Sequence, residues 1–247
     1  MNSGLYTAYS GLLARHDSLT VIANNLANIN TPGFKADRPF YRLYNDAMRR
    51  VGGTPLEQAI NNGVALEGPA TDFSGGALTH TGNDFDLAIE KGFFVVQTPN
   101  GIRYTRSGSF TIDPERRLIT QSGFPVLGQN GPITVPEGQI QVDAQGAIAA
   151  NGVSTDRLKL AQFKNLNSLR KEGAALFVQT DPNEAELDDA GAVVRQGYLE
   201  KANADPIRTT TEMIELLRQF QALEKSIEVL MNDVNNRVID QVGRTVA

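Results

Sequence analysis

The sequence predicts an α+β chain in which a helical element at each terminus, the two able to pair as an antiparallel coiled coil, encloses an all-β middle. Three observations carry this reading. Apolar residues recur every seven positions in the first thirty residues, they do so again near the C-terminus, and between residues 85 and 200 the pattern shortens to strand-length runs broken by glycine and proline. The corresponding division is a discontinuous helical assembly domain of residues 1–30 plus 208–247, a connector over 31–80 and a β-rich domain over 81–207.

In the first helical element Leu5, Leu12, Leu19 and Leu26 stand at intervals of seven, and Ala8, Ile22 and Ile29 each follow a leucine by three. This is the seam of an amphipathic helix. Arg15 interrupts it once, and Ala8, Ala14, Ala23 and Ala27 leave room for a neighbouring helix to approach closely. A helix from Gly4 to Asn28 is roughly 37 Å long at 1.5 Å per residue. Thr31, Pro32 and Gly33 end it, because proline disfavours helix at the residue before it and glycine suits the turn.

The connector is the least readable stretch. It opens with Lys35, Arg38, Arg42, Arg49 and Arg50 and closes in glycine- and serine-containing sequence, a composition that fits a solvated linking segment. In the β region, Gly92–Gln97 (GFFVVQ) and Ile102–Arg106 (IRYTR) flank Thr98-Pro99-Asn100-Gly101, which predicts a hairpin around an Asn-Gly turn. Further strands are expected at SFTI, RLIT, FPVLG, PITVP, QIQVD, AIAAN, RLKLAQF and ALFVQ, a spacing that suits a sandwich or barrel-like domain. The acidic stretch Asp181–Asp189 reads as an exposed loop.

At the C-terminal end Met213, Phe220, Ile227 and Val234 repeat every seven residues, with Leu216, Leu223 and Leu230 at the second seam position. After Val234 that position falls on Arg237, so the stripe slips to Val238 and Val242. One of Thr209, Thr210 and Thr211 is the expected N-cap, and Glu212 and Glu215 sit where the positive end of a helix favours acids. The helix predicted from Thr211 to Val242 is on the order of 48 Å long. By spacing alone, both stripes serve equally well to cover the chain's own core or to meet other chains. Their place at the extreme ends favours pairing with each other, which leaves a second face for neighbours. Each end taken singly is marginal in water and expected to order only on packing.

Composition narrows the chemistry. The chain has 247 residues, 40% apolar and 21% charged, which is enough for a hydrophobic core without staples. A net charge of −5 argues against a nucleic-acid surface. The absence of cysteine removes disulfides, thiolate nucleophiles and Cys-based zinc sites. No run of eighteen apolar residues occurs, and MNSGLYTAYSGLLAR lacks the basic and apolar regions of a cleavable signal, so neither a membrane span nor such a signal is expected. His16 and His80 have no evident orienting partner or metal-ligand spacing. Asp84 and Asp86 flank Phe85, where strand alternation leaves both acids in solvent. The stretch from Asp181 has Glu186 where a calcium loop needs glycine, and no phosphate-binding glycine loop or nucleophile elbow is present. No catalytic residue, metal, cofactor or small-molecule substrate is therefore expected.

Ala23–Lys35 (ANNLANINTPGFK) resembles the N-terminal signature of bacterial flagellar rod and hook proteins. The likeness continues, in the family's order, through Thr81–Gly101, Arg103–Asp113, Leu118–Gly128 and Val194–Ile207 (VRQGYLEKANADPI) into the C-terminal heptads. Within the family the short connector and Asp72–Leu78 (DFSGGAL) are most similar to the proximal rod type, with the distal rod type the near alternative. The resemblance implies a structural subunit that uses the terminal helices to polymerise with itself and with other proximal and distal rod subunits. It also implies export by the flagellar type III apparatus without a cleaved signal, residence in the periplasmic rod of the basal body, and a role in torque transmission for motility. In that picture the terminal helices line the tube interior, the β domain faces outward, and Phe34 and the residues after it join the two layers. The signature residues so implicated are Asn24, Asn25, Asn28, Thr31, Gly33 and Phe34, whose amides can bond to neighbouring chains or to freed backbone groups.

Overall fold

The computed structural model of the chain describes residues 2–43, 64–181, 187–188 and 191–245. Arg49, Arg50 and most of the acidic stretch fall outside the described residues, as do the side chains of Leu5, Arg42, Leu230, Val234, Arg237, Val238 and Val242. The architecture is α+β, with a helix at each end of a mostly β chain. It divides into two compact units, one made of Met1–Leu26, Asp37–Ala70 and Asp205–Ala247, the other of Ala27–Ala36 and Thr71–Ala204.

The first unit contains helices α1 (Asn2–Ala27) and α2 (Pro206–Thr245). The fully buried stripe of α1 is Ala14, Ser18, Val21, Ile22 and Asn25, spaced at three and four residues. Leu12, Leu19 and Leu26 lie beside that stripe and are half-buried, while Tyr9 and Leu13 are exposed. Small and β-branched residues share this enclosed face, and of the described leucine-seam residues only Ile22 lies on it. On α2 the pattern follows the heptads: Met213, Leu216, Phe220, Leu223 and Ile227 are each half-buried, and the residues between them are largely exposed.

α2 begins earlier than the threonines suggest. Asp205 is its cap, with the carboxylate Oδ1 accepting from the amides of Ile207 at 2.8 Å and Arg208 at 3.1 Å. Pro206 then fills the first helical position, where a missing N–H costs nothing. Thr210 and Thr211 are one turn inside, and their hydroxyls donate back to the carbonyls of Pro206 and Ile207. The forty residues of α2 span about 60 Å. The region expected to be a plain connector also carries structure, since β1 (Asp37–Leu43) and β2 (Val64–Thr71) form a two-stranded sheet. Arg38 and Arg42 alternate with other residues on β1, so the basic stretch had masked a strand.

The second unit is built on β5 (Phe93–Thr98), which follows β3 (Leu78–His80) and β4 (Leu87–Ile89) in the chain. β5 is buried on both faces. Phe93 and Val95 enter a cluster with Tyr104, Ala161, Phe163, Leu169 and Phe177, whereas Phe94 and Val96 enter the larger cluster that includes Leu87, Ile89, Phe110, Leu118, Val126 and Ile133. A continuous apolar run is what a strand with no solvent face requires. β5 pairs with β6 (Gly101–Thr105) on one side and with Leu160–Gln162 on the other, at the middle of a six-stranded antiparallel sheet.

The β5–β6 turn has Thr98 paired with Gly101, so its central residues are Pro99 and Asn100. The fixed negative φ of proline suits the first central position of this turn, and Gly101 takes the positive φ of 102° as the first residue of β6. The remaining strands form two- and three-stranded antiparallel pieces around the sheet, and each apolar run named above contributes to one or bridges to a neighbour. One outcome tests the cap: Asp205→Ala is expected to cost about 1 kcal/mol of α2 stability, seen as faster amide exchange at Ile207 and Arg208 with the β-sheet amides unchanged.

Candidate assembly joint

The signature segment works through backbone contacts from its first amide onward. Asn25 is buried, and its carboxamide meets Asp37 at two points, donating from Nδ2 to the carbonyl at 2.7 Å and accepting the amide on Oδ1 at 2.9 Å. One side chain thereby satisfies both polar groups where β1 begins. Asn28 and Thr31 shape the exit from α1: the carbonyl of Asn28 accepts the amide of Thr31 at 2.9 Å, and the carbonyl of Thr31 accepts the amide of Phe34 at 3.2 Å. Asn24 is exposed on the helix.

Gly33 then crosses another stretch of backbone at close range. Its φ is +68°, its amide donates to the carbonyl of Glu200 at 2.7 Å, and a Cβ there would lie 2.3 Å from the carbonyl carbon of Arg106. Only glycine supplies both the left-handed conformation and the missing carbon. Gly76 makes the same kind of crossing over Lys201, where a Cβ would lie 1.9 Å from the carbonyl oxygen. Phe34 is fully buried, with the Lys171 ammonium 4.2 Å from its ring centroid. The same ammonium donates to the carbonyl of Lys35 in a short hydrogen bond.

Lys35 is fully buried. Its Nζ donates to Glu200 Oε1 at 2.7 Å and to the carbonyl of Ser74 at 2.6 Å. Oε1 of Glu200 also accepts the amide of Gly76 at 2.7 Å, and Oε2 faces the Arg106 guanidinium at 3.5 Å. Arg106 is held in turn by the carbonyl of Ile89 at 2.9 Å and by the face of Phe93, 5.2 Å from its centroid. Three residues beyond Glu200, the Asn203 carboxamide accepts the amide of Ala36 at 2.7 Å and donates to the carbonyl of Asp72 at 2.7 Å. Phe73, in the middle segment, packs edge-on to Phe93 at 5.8 Å. Residues 31–36, 72–76 and 198–203, remote in sequence, are thus tied into one knot with Arg106.

Burial dominates the electrostatics. Loss of water pushes the Lys35 ammonium below its usual 10.5, against the hydrogen bond and charge of Glu200, and Arg106 also repels it. Arg106 is likewise pushed down by burial, with Glu200 opposing the shift. Two buried cations share one carboxylate, so the acid is the group neither can lose.

The joint gathers Gly33 and Phe34 from the signature, with Thr31 at its entrance. It does not gather the helical seam residues, which run along α1 and α2 apart from Ile29, placed by the structure in the turn after α1 ends at Ala27. Lys35, Gly76, Arg106, Lys171, Glu200 and Asn203 were not singled out by sequence reasoning, although all but Lys171 lie inside the motif blocks. Their charges read as solvated ones, and no local pattern reveals that a lysine and a glutamate 165 residues apart will meet. His16 is exposed with Asp17 at 3.6 Å, and His80 rests against the ring of Tyr198 at 4.9 Å. Among the described residues no cluster of His, Asp or Glu has the arrangement of a metal site.

These blocks match three family models in the same order. They are the flagella basal body rod protein at residues 5–35, the flagellar hook protein FlgE/F/G D1 domain at residues 88–150, and the flagellar basal body rod FlgEFG protein C-terminal at residues 195–230. Helical ends on a β-rich centre, knotted by these motifs, define a flagellar axial protein. Full-length relatives narrow the class. The chain is 32% identical to the flagellar basal-body rod protein FlgF of Caulobacter vibrioides over 99% of both chains. It is 34% identical to FlgF of Salmonella typhimurium over 92% of this chain and 93% of that one. It is 31% identical to the rod protein FlgG of Buchnera aphidicola over 92% and 95%. The chain belongs to the flagellar basal-body rod protein family, as a structural subunit of the rod.

Two outcomes test the joint. Gly33→Ala is expected to destabilise the second unit by on the order of 3 kcal/mol, since backbone must move on both sides of the crossing; a loss below about 0.5 kcal/mol in chemical denaturation contradicts the close approach. The lowered Lys35 value fixes a pH trend. Between that value and 10.5 the unfolded chain holds a proton that the folded chain has released, so Lys35 becomes less unfavourable to folding as pH rises through the window. The stability of the native chain relative to Lys35→Met is therefore expected to grow as pH rises towards 10.5, measured by urea unfolding at each pH.

Proposed function

We propose that this chain is a proximal-rod subunit of the FlgF type that polymerises through its terminal helices, and that it has no enzymatic activity. The observation that carries the reading is the half-buried heptad stripe Met213, Leu216, Phe220, Leu223 and Ile227 on α2. A stripe that remains partly open in the single chain is what a helix retains when its packing is completed by neighbours. Ile207, at 80% exposure, and Ile214, at 48%, leave further apolar surface on the same helix. Pairing of α1 with α2 as a coiled coil, with the seam residues Leu12, Leu19, Ile22 and Leu26 facing it, belongs to this proposal.

The relatives named FlgF and the segment Asp72–Leu78 support the proximal type. The relatives named FlgG, at 31% identity, make the distal type the second reading. Either way the partners are further copies of this chain and other rod subunits. The route is the flagellar type III export apparatus, and the destination is the periplasmic part of the basal body. No helix among the described residues is long and apolar enough to cross a membrane.

Leu12→Asp or Leu223→Asp is expected to abolish rod assembly and swimming while the β-sheet core keeps its near-ultraviolet circular dichroism and melting transition. Restored swimming by either variant would show that the seams are misassigned.

A further inference from the structure

We infer that Glu200 is a positioning residue: its buried carboxylate closes the segments 31–36, 72–76 and 198–203 as one cooperative lock that opens separately from the β-sheet core and releases both chain ends together. The inference goes beyond the proposed mode of assembly and needs only the knot itself. It takes from that proposal its consequence alone, that the ends so held lead into assembling helices.

The geometry concentrates the connections on one residue. The backbone carbonyl of Glu200 takes the amide of Gly33, and its side chain takes Lys35 from the N-terminal segment, Gly76 from the middle segment and Arg106 from the β domain. Asn203 repeats the three-way connection one step later, through Ala36 and Asp72. The N-terminal and middle segments also meet directly, the carbonyl of Ala36 accepting the amide of Asp72 at 2.8 Å, so what Glu200 adds is the counter-charge and the tie to the third segment. Lys35 reaches the middle segment at Ser74, but withdrawing Glu200 leaves that ammonium and the Arg106 guanidinium buried without a counter-charge.

The lock differs from the core in what mainly holds it. Its bonds are largely polar and charge-assisted, with Phe73 packing on Phe93 and Phe177, whereas β5 and its neighbours are held by the two apolar clusters. Proteins open sub-globally in contiguous cooperative units, each with its own free energy, and segments tied through one residue belong to one such unit. A chain emerging from its N-terminus has Lys35 long before Glu200, so the buried ammonium lacks its counter-charge until residues 198–200 are present. Completion of the N-terminal attachment then coincides with attachment of the C-terminal end.

Native-state hydrogen exchange on the full-length chain in sub-denaturing urea tests this without any substitution. Peptides covering 31–36, 72–76 and 198–203 are expected to share one exchange isotherm that lies below the isotherm of residues 93–105. Three unrelated isotherms overturn the lock, and so does a single isotherm that includes residues 93–105. Glu200→Gln keeps the shape and removes the charge. It is expected to accelerate exchange in all three segments by a common factor of about a hundredfold or more, with residues 93–105 unchanged. Acceleration confined to 198–203, equal acceleration everywhere or no acceleration each overturns the assignment. Failure of the Leu223→Asp test leaves these results untouched, so the two ideas fall separately.

Discussion

The structure depends on a single buried carboxylate. Glu200 sits 2.7 Å from the Lys35 ammonium and 3.5 Å from Arg106, in a place from which water is excluded. Such a pair gains little net stability over an apolar replacement, because desolvation offsets most of the attraction. Its value lies in geometry. An apolar contact such as that of Phe73 with Phe93 and Phe177 tolerates sliding. A lysine that must reach one carboxylate oxygen and one carbonyl does not, and the chain segment leaving α1 acquires one register against the β domain.

The glycines complete that argument. Gly33 and Gly76 let strands of backbone cross at distances that admit no side chain, so the segments reach the carboxylate only if both positions stay bare. Asn25 and Asn203 act in the same sense with neutral groups, each using a carboxamide to cap a donor and an acceptor of passing backbone. A rod subunit has use for attachments fixed by directional bonds, and the helices that leave this joint carry the surface proposed for assembly.

Legibility in the sequence followed the range of the forces. The long helices, the strand runs and the β5–β6 hairpin were readable because periodicity of 3.6 or 2 expresses local burial. Asp205-Pro206 was passed over for the threonines after it, although an acid before proline is a strong helix start. β1 and β2 were hidden because charged residues on a two-stranded sheet resemble a linker. The joint was legible only as a set of motifs. ANNLANINTPGFK and VRQGYLEKANADPI were recognisable as blocks, but nothing in either states that Lys35 and Glu200 touch. Charge in sequence normally means solvent, and the exception is set by a tertiary contact that spans most of the chain.

The central claim is that Lys35 and Glu200 are coupled through direct contact across the joint. A double-mutant cycle with Lys35→Met, Glu200→Gln and the paired variant, measured by urea unfolding of the full-length chain, tests it most directly. The account predicts a coupling energy of about 2 kcal/mol, with the double variant less damaged than the sum of the single ones. Additivity within about 0.3 kcal/mol would contradict it.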